Sequence, residues 1–378
     1  MPFRLLRYTL SGLTLTLLAA LGGCQSSNTG EVLDIGAQNV TAVPVDADIV
    51  GEGAVKIAIA APLSGSGAGT GKAIRQGAEM ALEDLGAGKL ALAFYDSAGS
   101  AGRLKGASEA IDSAGIPIAA VAAGPQALTA FAPASAITIA MVPDDVRRPQ
   151  GSFAFLPSAS DSLVYGVRFA LTAKPGSVLL FIPADMPAPA VKALQRRIGA
   201  FGTVTPISYR PSQTSAQIAD RARPHLAKTS VVAFAGNEAK IAQIVKALNL
   251  PAANGPAIVG NIDWTGALFA SAELQGALVP SADTGNHGVI AGRYSKKYGA
   301  EPPASALYAY DFVAVAAGIV RSRGAEALNR QTLVTDAGFR GTSGSFRFRP
   351  DGRTERLFAM NFIDGGQLKP LKAAPEGF

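Results

Sequence analysis

The stretch Val55–Leu85, "VKIAIAAPLSGSGAGTGKAIRQGAEMALEDL", reads as a strand, a glycine-rich turn and a helix. A continuous apolar run such as VKIAIAA suits a strand buried on both faces, and such strands belong to parallel sheets covered by helices on both sides. The turn falls where many α/β proteins hold phosphate, so its spacing is the first test. A P-loop needs Gly, four residues, then Gly-Lys-Ser/Thr. Counting back from Gly71-Lys72 puts Ser66 where the first glycine belongs and Ala73 where the magnesium hydroxyl belongs. The dinucleotide fingerprint fails from either start, because its third glycine falls on Thr70 or on Lys72. The spacing matches neither nucleotide-binding motif. There remain two readings: a tight turn that lets the helix pack close, or a loop offering N–H groups and hydroxyls to a cleft at the strand's C-terminal end.

Outward from this stretch the pattern repeats. Strands are expected at Leu90–Tyr95, Pro117–Ala122 and Ile137–Val142, with helices at Lys72–Leu85, Arg103–Ala114 and near Ala127–Ala134. A second series follows "SFAFLPSASDS", with strands Ser177–Ile182, Thr203–Tyr209, Val231–Ala235 and Ala257–Gly260. Its helices are expected at Ala188–Phe201, Ser215–Leu226 and Glu238–Leu248, before two more near His287–Tyr298 and Ala304–Arg321. The tail reads as β-structure. Phe346 and Phe348 alternate with Arg347 and Arg349, which gives one buried and one wet face, and Asp351-Gly352 and Asp364-Gly365 are turn signals. Two α/β series with later returning segments predict an α/β protein of two lobes. Each lobe is a mainly parallel sheet flanked by helices, with a cleft between them.

The chain has 378 residues, 48% hydrophobic and 16% charged, which suits a compact protein large enough for two cores. The net charge of +6 includes Arg4 and Arg7 in a segment expected to be removed, and no long basic run points to nucleic acid. The pairs Arg147-Arg148, Arg196-Arg197 and Lys296-Lys297 read as solvated faces. The N-terminus has a basic start, an apolar stretch from Tyr8 to Leu21, and then Leu21-Gly-Gly-Cys24. This pattern predicts a lipoprotein signal peptide over 1–23, with the sole cysteine, Cys24, as the lipidated residue. Residues 24–54 are small and polar, and read as the lipidated cysteine and a flexible tether. Gln25 after the cysteine, where Asp commonly signals inner-membrane retention in Gram-negative bacteria, favours the periplasmic face of the outer membrane.

Enzyme chemistry lacks a parts list. The only histidines are His225 and His287, no metal spacing is present, and Gly341-Thr-Ser-Gly-Ser345 fails as a nucleophile elbow. Neither a cofactor nor a catalytic residue is expected.

The pieces "VKIAIAAPLSG…GKAIRQGAEMALEDL", "LAFYDSAGS", "GPQALTAFAP", "ALYAYDFVAVAA" and "FRGTSGSFRFRPDGRTERLFAMNFIDGGQL" together resemble the type I periplasmic-binding fold. Within it they are similar to the leucine/isoleucine/valine-binding branch, over about Val55 to Leu371. The resemblance implies lobe 1 at about 55–156 and 284–338, and lobe 2 at about 157–283 and 339–378. It also implies a small amino-acid-like ligand, its carboxylate held by loops after the first and third strands and its ammonium by acidic groups of the other lobe. The matching positions are Ser64, Gly65 and Ser66 in the first loop and Gly124, Gln126 and Thr129 in the third-strand loop. Across the cleft they are Ser158, Asp161, Asp185, Asn237, Glu238 and Asp263. N-capping is the alternative role for Asp161 and Asp263. The third-strand loop departs from the family, since Gln126, Ala127 and Leu128 stand where small residues and hydroxyls are usual. Lipoprotein activators of penicillin-binding proteins, with a Gly-Pro pair like Gly124-Pro125, resemble the chain more closely, although the helical N-terminal domain of the larger activators is lacking. That likeness implies a non-catalytic envelope regulator whose partner is a peptidoglycan synthase. The alternative is a solute-binding lipoprotein serving an ABC permease.

Overall fold

The computed structural model describes residues 40–86, 88–251, 254–283 and 287–378. The expected signal peptide, Cys24 and the tether as far as residue 39 lie outside the described residues.

The first sheet contains β1 (Ala47–Val50), β2 (Val55–Ala61), β3 (Leu90–Asp96), β4 (Ile118–Val121), β5 (Ile137–Ala140) and β6 (Phe153–Ala154). Their order is β1-β3-β2-β4-β5-β6, parallel except for β1. Alternation along β2 divides its side chains between two cores. Ile57 and Ile59 pack with α1 (Ala68–Ala81), while Ala58 and Ala60 pack with α2 (Ala101–Ser113). The short α3 (Pro125–Leu128) follows β4, in place of the longer helix expected near Ala127–Ala134.

β1 corrects one expectation. Residues 40–54 do not belong to a free tether, because Ala47–Val50 pairs antiparallel with Leu92–Tyr95 of β3 and Val43 donates its N–H to Gly102 O at 2.9 Å. Gly102 and Gly106 admit this segment: a Cβ on Gly106 would meet Val43 O at 1.9 Å. The sequence signal was weak, a four-residue strand "ADIV" with two exposed positions.

The second sheet begins after α4 (Ala159–Ala173). It takes in β7 (Ser177–Pro183), β8 (Val204–Tyr209), β9 (Thr229–Phe234), β10 (Ala257–Val259) and β11 (Leu278–Ala282). The helices α5 (Ala188–Gly199), α6 (Ser215–Leu226), α7 (Lys240–Leu248) and α8 (Gly266–Phe269) connect them. β11 was not evident in the sequence because Pro280 interrupts its apolar run. Next, α9 (His287–Tyr298) and α10 (Ala304–Arg323) follow, and α10 packs along α1 of the first lobe. Gly77 makes that crossing close, since a Cβ there would meet Ala306 O at 1.9 Å.

After α11 (Arg330–Leu333) come β12 (Phe339–Gly341), β13 (Gly344–Phe348) and β14 (Thr354–Arg356), which form a three-stranded sheet of their own. Residues 339–356 were expected in lobe 2. Instead, Phe346 and Phe348 join the core of lobe 1, with ring centroids 5.3 Å from Phe155 and 5.0 Å from Phe153 respectively. Burying these aromatic faces where the chain leaves lobe 1 draws the small sheet to that side. Only β15 (Phe358–Asp364) and β16 (Gln367–Lys372) complete the second sheet, in the order β16-β15-β11-β10-β9-β7-β8. The result is an α/β protein with two sheets of mainly parallel strands flanked by helices.

Candidate functional site

Ligands of open α/β sheets bind beyond the C-terminal ends of the strands. In lobe 1 the loop after β2 is tied to the end of β3. Ser64 donates its N–H to Asp96 Oδ1 at 3.1 Å and its hydroxyl to Asp96 Oδ2. The Ala98 N–H reaches Asp96 Oδ1 at 2.8 Å, and Arg103 approaches Oδ2 at 3.5 Å. Burial pushes the Asp96 carboxyl up, but the Ser64 hydroxyl, the two N–H donors and Arg103 outweigh it, leaving the group below its ordinary value. Gly65 takes a left-handed conformation, φ +73°, and Ser66 is exposed beside it. After β4, Gly124 N-caps α3 without a side chain to offer, and Gln126 and Thr129 stand exposed on that turn and at its end.

In lobe 2 the loops bind one another. Asn261 Nδ2 donates to Gly236 O at 2.9 Å and to Phe234 O at 3.2 Å, and Trp264 Nε1 donates to Gly236 O at 3.0 Å. The loops after β9 and β10 are thereby joined. Glu238 accepts from the Tyr209 hydroxyl and from the Asn237 N–H. Burial, then the hydrogen bond and charge of Glu238, push the Tyr209 phenol up. Asn237, Asp185 and Asp263 are exposed. Asp263 does not cap a helix: Thr265 occupies the N-cap of α8, and the Asp263 N–H is held by Asn261 Oδ1 at 2.9 Å.

Ser158 N-caps α4 by accepting the Asp161 N–H at 3.0 Å, so Asp161 is not the cap either. Asp161 is buried and paired with Arg197 of α5, which also lies 3.6 Å from Asp144 of the loop after β5. Burial, and then the charge of Asp144, push the Asp161 carboxyl up to about 6 against the pull of Arg197 and Arg353. On the neighbouring residue Asp145, partial burial, then Asp144 and Asp263, hold the carboxyl above its usual range.

The reading of Arg147-Arg148 and Arg196-Arg197 as solvated faces therefore holds for only one member of each pair. Arg147 and Arg196 are exposed, whereas Arg148 donates to Asp144 O at 3.0 Å and to Gly352 O at 3.2 Å, and Arg197 is 16% exposed in its ion pairs. Sequence reading also missed Asp96, Asp144 and Arg353. The available signal was the clustering of opposite charges in "PDDVRRP" (143–149) and "RPDGR" (349–353), with no partner to assign them.

The arrangement has a direct chemical consequence. A carboxylate brought to the first loop meets Asp96, an anion that already holds the Ser64 N–H and hydroxyl. Breaking those bonds without replacing them in kind forfeits about 1 kcal/mol each on this exposed rim.

No family model and no curated protein matches the chain. Solved structures do. A branched-chain amino acid ABC transporter protein from Rhodospirillum rubrum aligns at 16% identity and TM-score 0.67, covering 84% of this chain and 100% of that one. This is the type I periplasmic-binding fold. The C-domain of LpoA from Haemophilus influenzae, a regulator of PBP1A, aligns at 15% identity and TM-score 0.61, covering 84% and 99%. A branched-chain amino acid ABC transporter periplasmic ligand-binding protein from Burkholderia xenovorans gives 16% and 0.59, covering 85% and 96%. At such identities the likeness establishes the fold, which binding proteins and a regulator share.

Proposed function

We propose that the protein is a non-catalytic, lipid-anchored cell-envelope regulator of the penicillin-binding-protein-activator kind, held through Cys24 at the periplasmic face of the outer membrane. Its partner in this reading is a peptidoglycan synthase. The observation that carries the choice over a solute receptor is the Ser64–Asp96 clasp, which leaves the first loop unsuited to a ligand carboxylate. The opposite lobe adds to it. Of the acids at hand for an ammonium, Glu238 serves Tyr209 and Asp161 serves Arg197, which leaves the exposed Asp263 and Asp185. An amino acid between the lobes needs both charges compensated, because an unpaired buried charge costs several kcal/mol.

A thermal-shift screen of the free amino acids on the purified protein tests this. A ligand at about 100 times its dissociation constant adds roughly 2.7 kcal/mol, which moves the midpoint of a protein this size by about 5 °C. We expect no amino acid to do so. A shift of that size from leucine, valine or a polar amino acid, abolished by Asp263→Ala, would establish the importer function instead.

A further inference from the structure

The Asp161 cluster joins three separate parts of the chain. Asp144 comes from the β5 loop of lobe 1, Asp161 and Arg197 from α4 and α5 of lobe 2, and Arg353 from the turn between β13 and β14. Arg197 is the bridge. One of its terminal nitrogens pairs with Asp161 Oδ1 and the other lies 3.6 Å from Asp144 Oδ2. The remaining oxygens, Asp144 Oδ1 and Asp161 Oδ2, are buried without a hydrogen-bond partner. Two carboxylates therefore share Arg197 in a nearly dry setting, their side chains 8% and 3% exposed, while Arg148 and Arg353 act on Asp144 from farther off.

We propose that Asp144, Arg197 and Asp161 form a proton-sensitive latch between the lobes, one that mild acid tightens.

The logic follows from which contacts cross between lobes. Arg197–Asp161 lies within lobe 2 and does nothing to hold the lobes together. Arg197–Asp144 crosses and attracts; Asp161–Asp144 crosses and repels. A proton on Asp161 removes the repulsion and leaves Arg197 to serve Asp144 alone. The other charged groups acting on Asp161 are Arg353, 3.9 Å away and itself paired with Asp351 at 2.8 Å, and Arg356, buried on β14. As permanent cations these do not titrate in the acid range, so the response belongs to the acids. Asp145, its carboxyl held up by burial and then by the charges of Asp144 and Asp263, acts in the same sense, because its protonation removes its repulsion with Asp263 of the other lobe. The sign is consistent with linkage. A carboxyl whose value is raised when the lobes are together takes up a proton on closing, so closure is favoured as pH falls through about 6.

The test measures the inter-lobe distance by pulsed electron–electron resonance. Full-length protein carrying Cys24→Ser takes nitroxides at Ser113→Cys in lobe 1 and Lys228→Cys in lobe 2, both exposed positions. The distance distribution should narrow when pH is taken from above to below the Asp161 value of about 6. Asp161→Asn, which mimics the protonated form with little change of shape, should be narrow on both sides. Asp144→Asn should be broad on both sides. A wild-type distribution that does not change with pH, or a pH response that persists in Asp144→Asn, overturns the latch.

Discussion

Asp96 in lobe 1 and Asp161 in lobe 2 each sit beside an arginine near a strand or helix end, yet acid acts on them in opposite directions. Asp96 collects a hydroxyl, two backbone N–H groups and Arg103, and its carboxyl falls below the ordinary value. Asp161 has Arg197, a distant Arg353 and an empty oxygen, and faces another carboxylate; its carboxyl rises to about 6. An arginine does not by itself decide the sign. What decides it is how many donors remain after burial has taken water away. The stability that Asp96 contributes is present above the usual carboxylate range and lost as pH falls through it. The cost that Asp161 imposes is present above pH 6 and relieved as pH falls.

The same substitution in both lobes gives the largest contrast. Arg197→Ala leaves Asp144 and Asp161 buried and facing one another with only the more distant Arg353 and Arg148 to offset them, and should destabilise by about 3 kcal/mol in urea unfolding at neutral pH. Arg103→Ala, about a third exposed and with Asp96 still holding its other donors, should cost less than about 1 kcal/mol. Equal losses for the two variants would show that donor count is not what separates the sites. Next in size are the amides. Asp96→Asn should lose about 1–2 kcal/mol near neutrality, since charge-assisted bonds to Ser64 and Ala98 become neutral ones. Asp161→Asn should lose nothing there, or gain slightly, and should erase the stabilisation seen on moving from pH 7 toward 5. Matching pH profiles for wild type and Asp161→Asn would assign that stabilisation to another group. The smallest expected effect sharpens the lobe 1 side. Ser64→Ala, on an exposed rim, should cost no more than about 1 kcal/mol, while carbonyl NMR should show the Asp96 titration moving upward. An unmoved Asp96 titration would mean the clasp is not populated in solution.

The sequence carried the fold far better than the site. Apolar runs such as VKIAIAA and LALAFYD, buried on both faces, declare parallel strands locally, and their helices declare themselves by period. Where packing rather than local pattern decided, reading failed. β11 is a strand with Pro280 inside it because β10 and β15 flank it, and residues 339–356 lean toward lobe 1 because Phe153 and Phe155 wait there. Ser64 and Asp161 were both singled out as candidate ligand residues, and both lie near the ends of strands or helices as expected. Their partners, Asp96 at a separation of 32 residues and Arg197 at 36, could not be assigned from spacing. Side-chain pairing over such distances is a property of the folded surface, which no local pattern encodes.

The pairing of β1 with β3 changes how far the molecule can roam. If Cys24 is the membrane attachment, a free chain to residue 54 would allow a leash of roughly 100 Å, whereas residues 24–39 can extend at most about 55 Å before reaching the fixed point at Val40. Val40 is held there by Lys105, whose Nζ lies 3.0 Å from its carbonyl oxygen. The space the body can sweep falls with the cube of that length, by about six-fold, and its encounter frequency with anything else confined to that layer rises correspondingly. On the same condition the leash would join at Val40 against α2 of lobe 1, and that face would have the shortest reach from the bilayer. With Cys24 as the attachment, the short segment laid on α2 and β3 would set a working radius, and with it a neighbourhood.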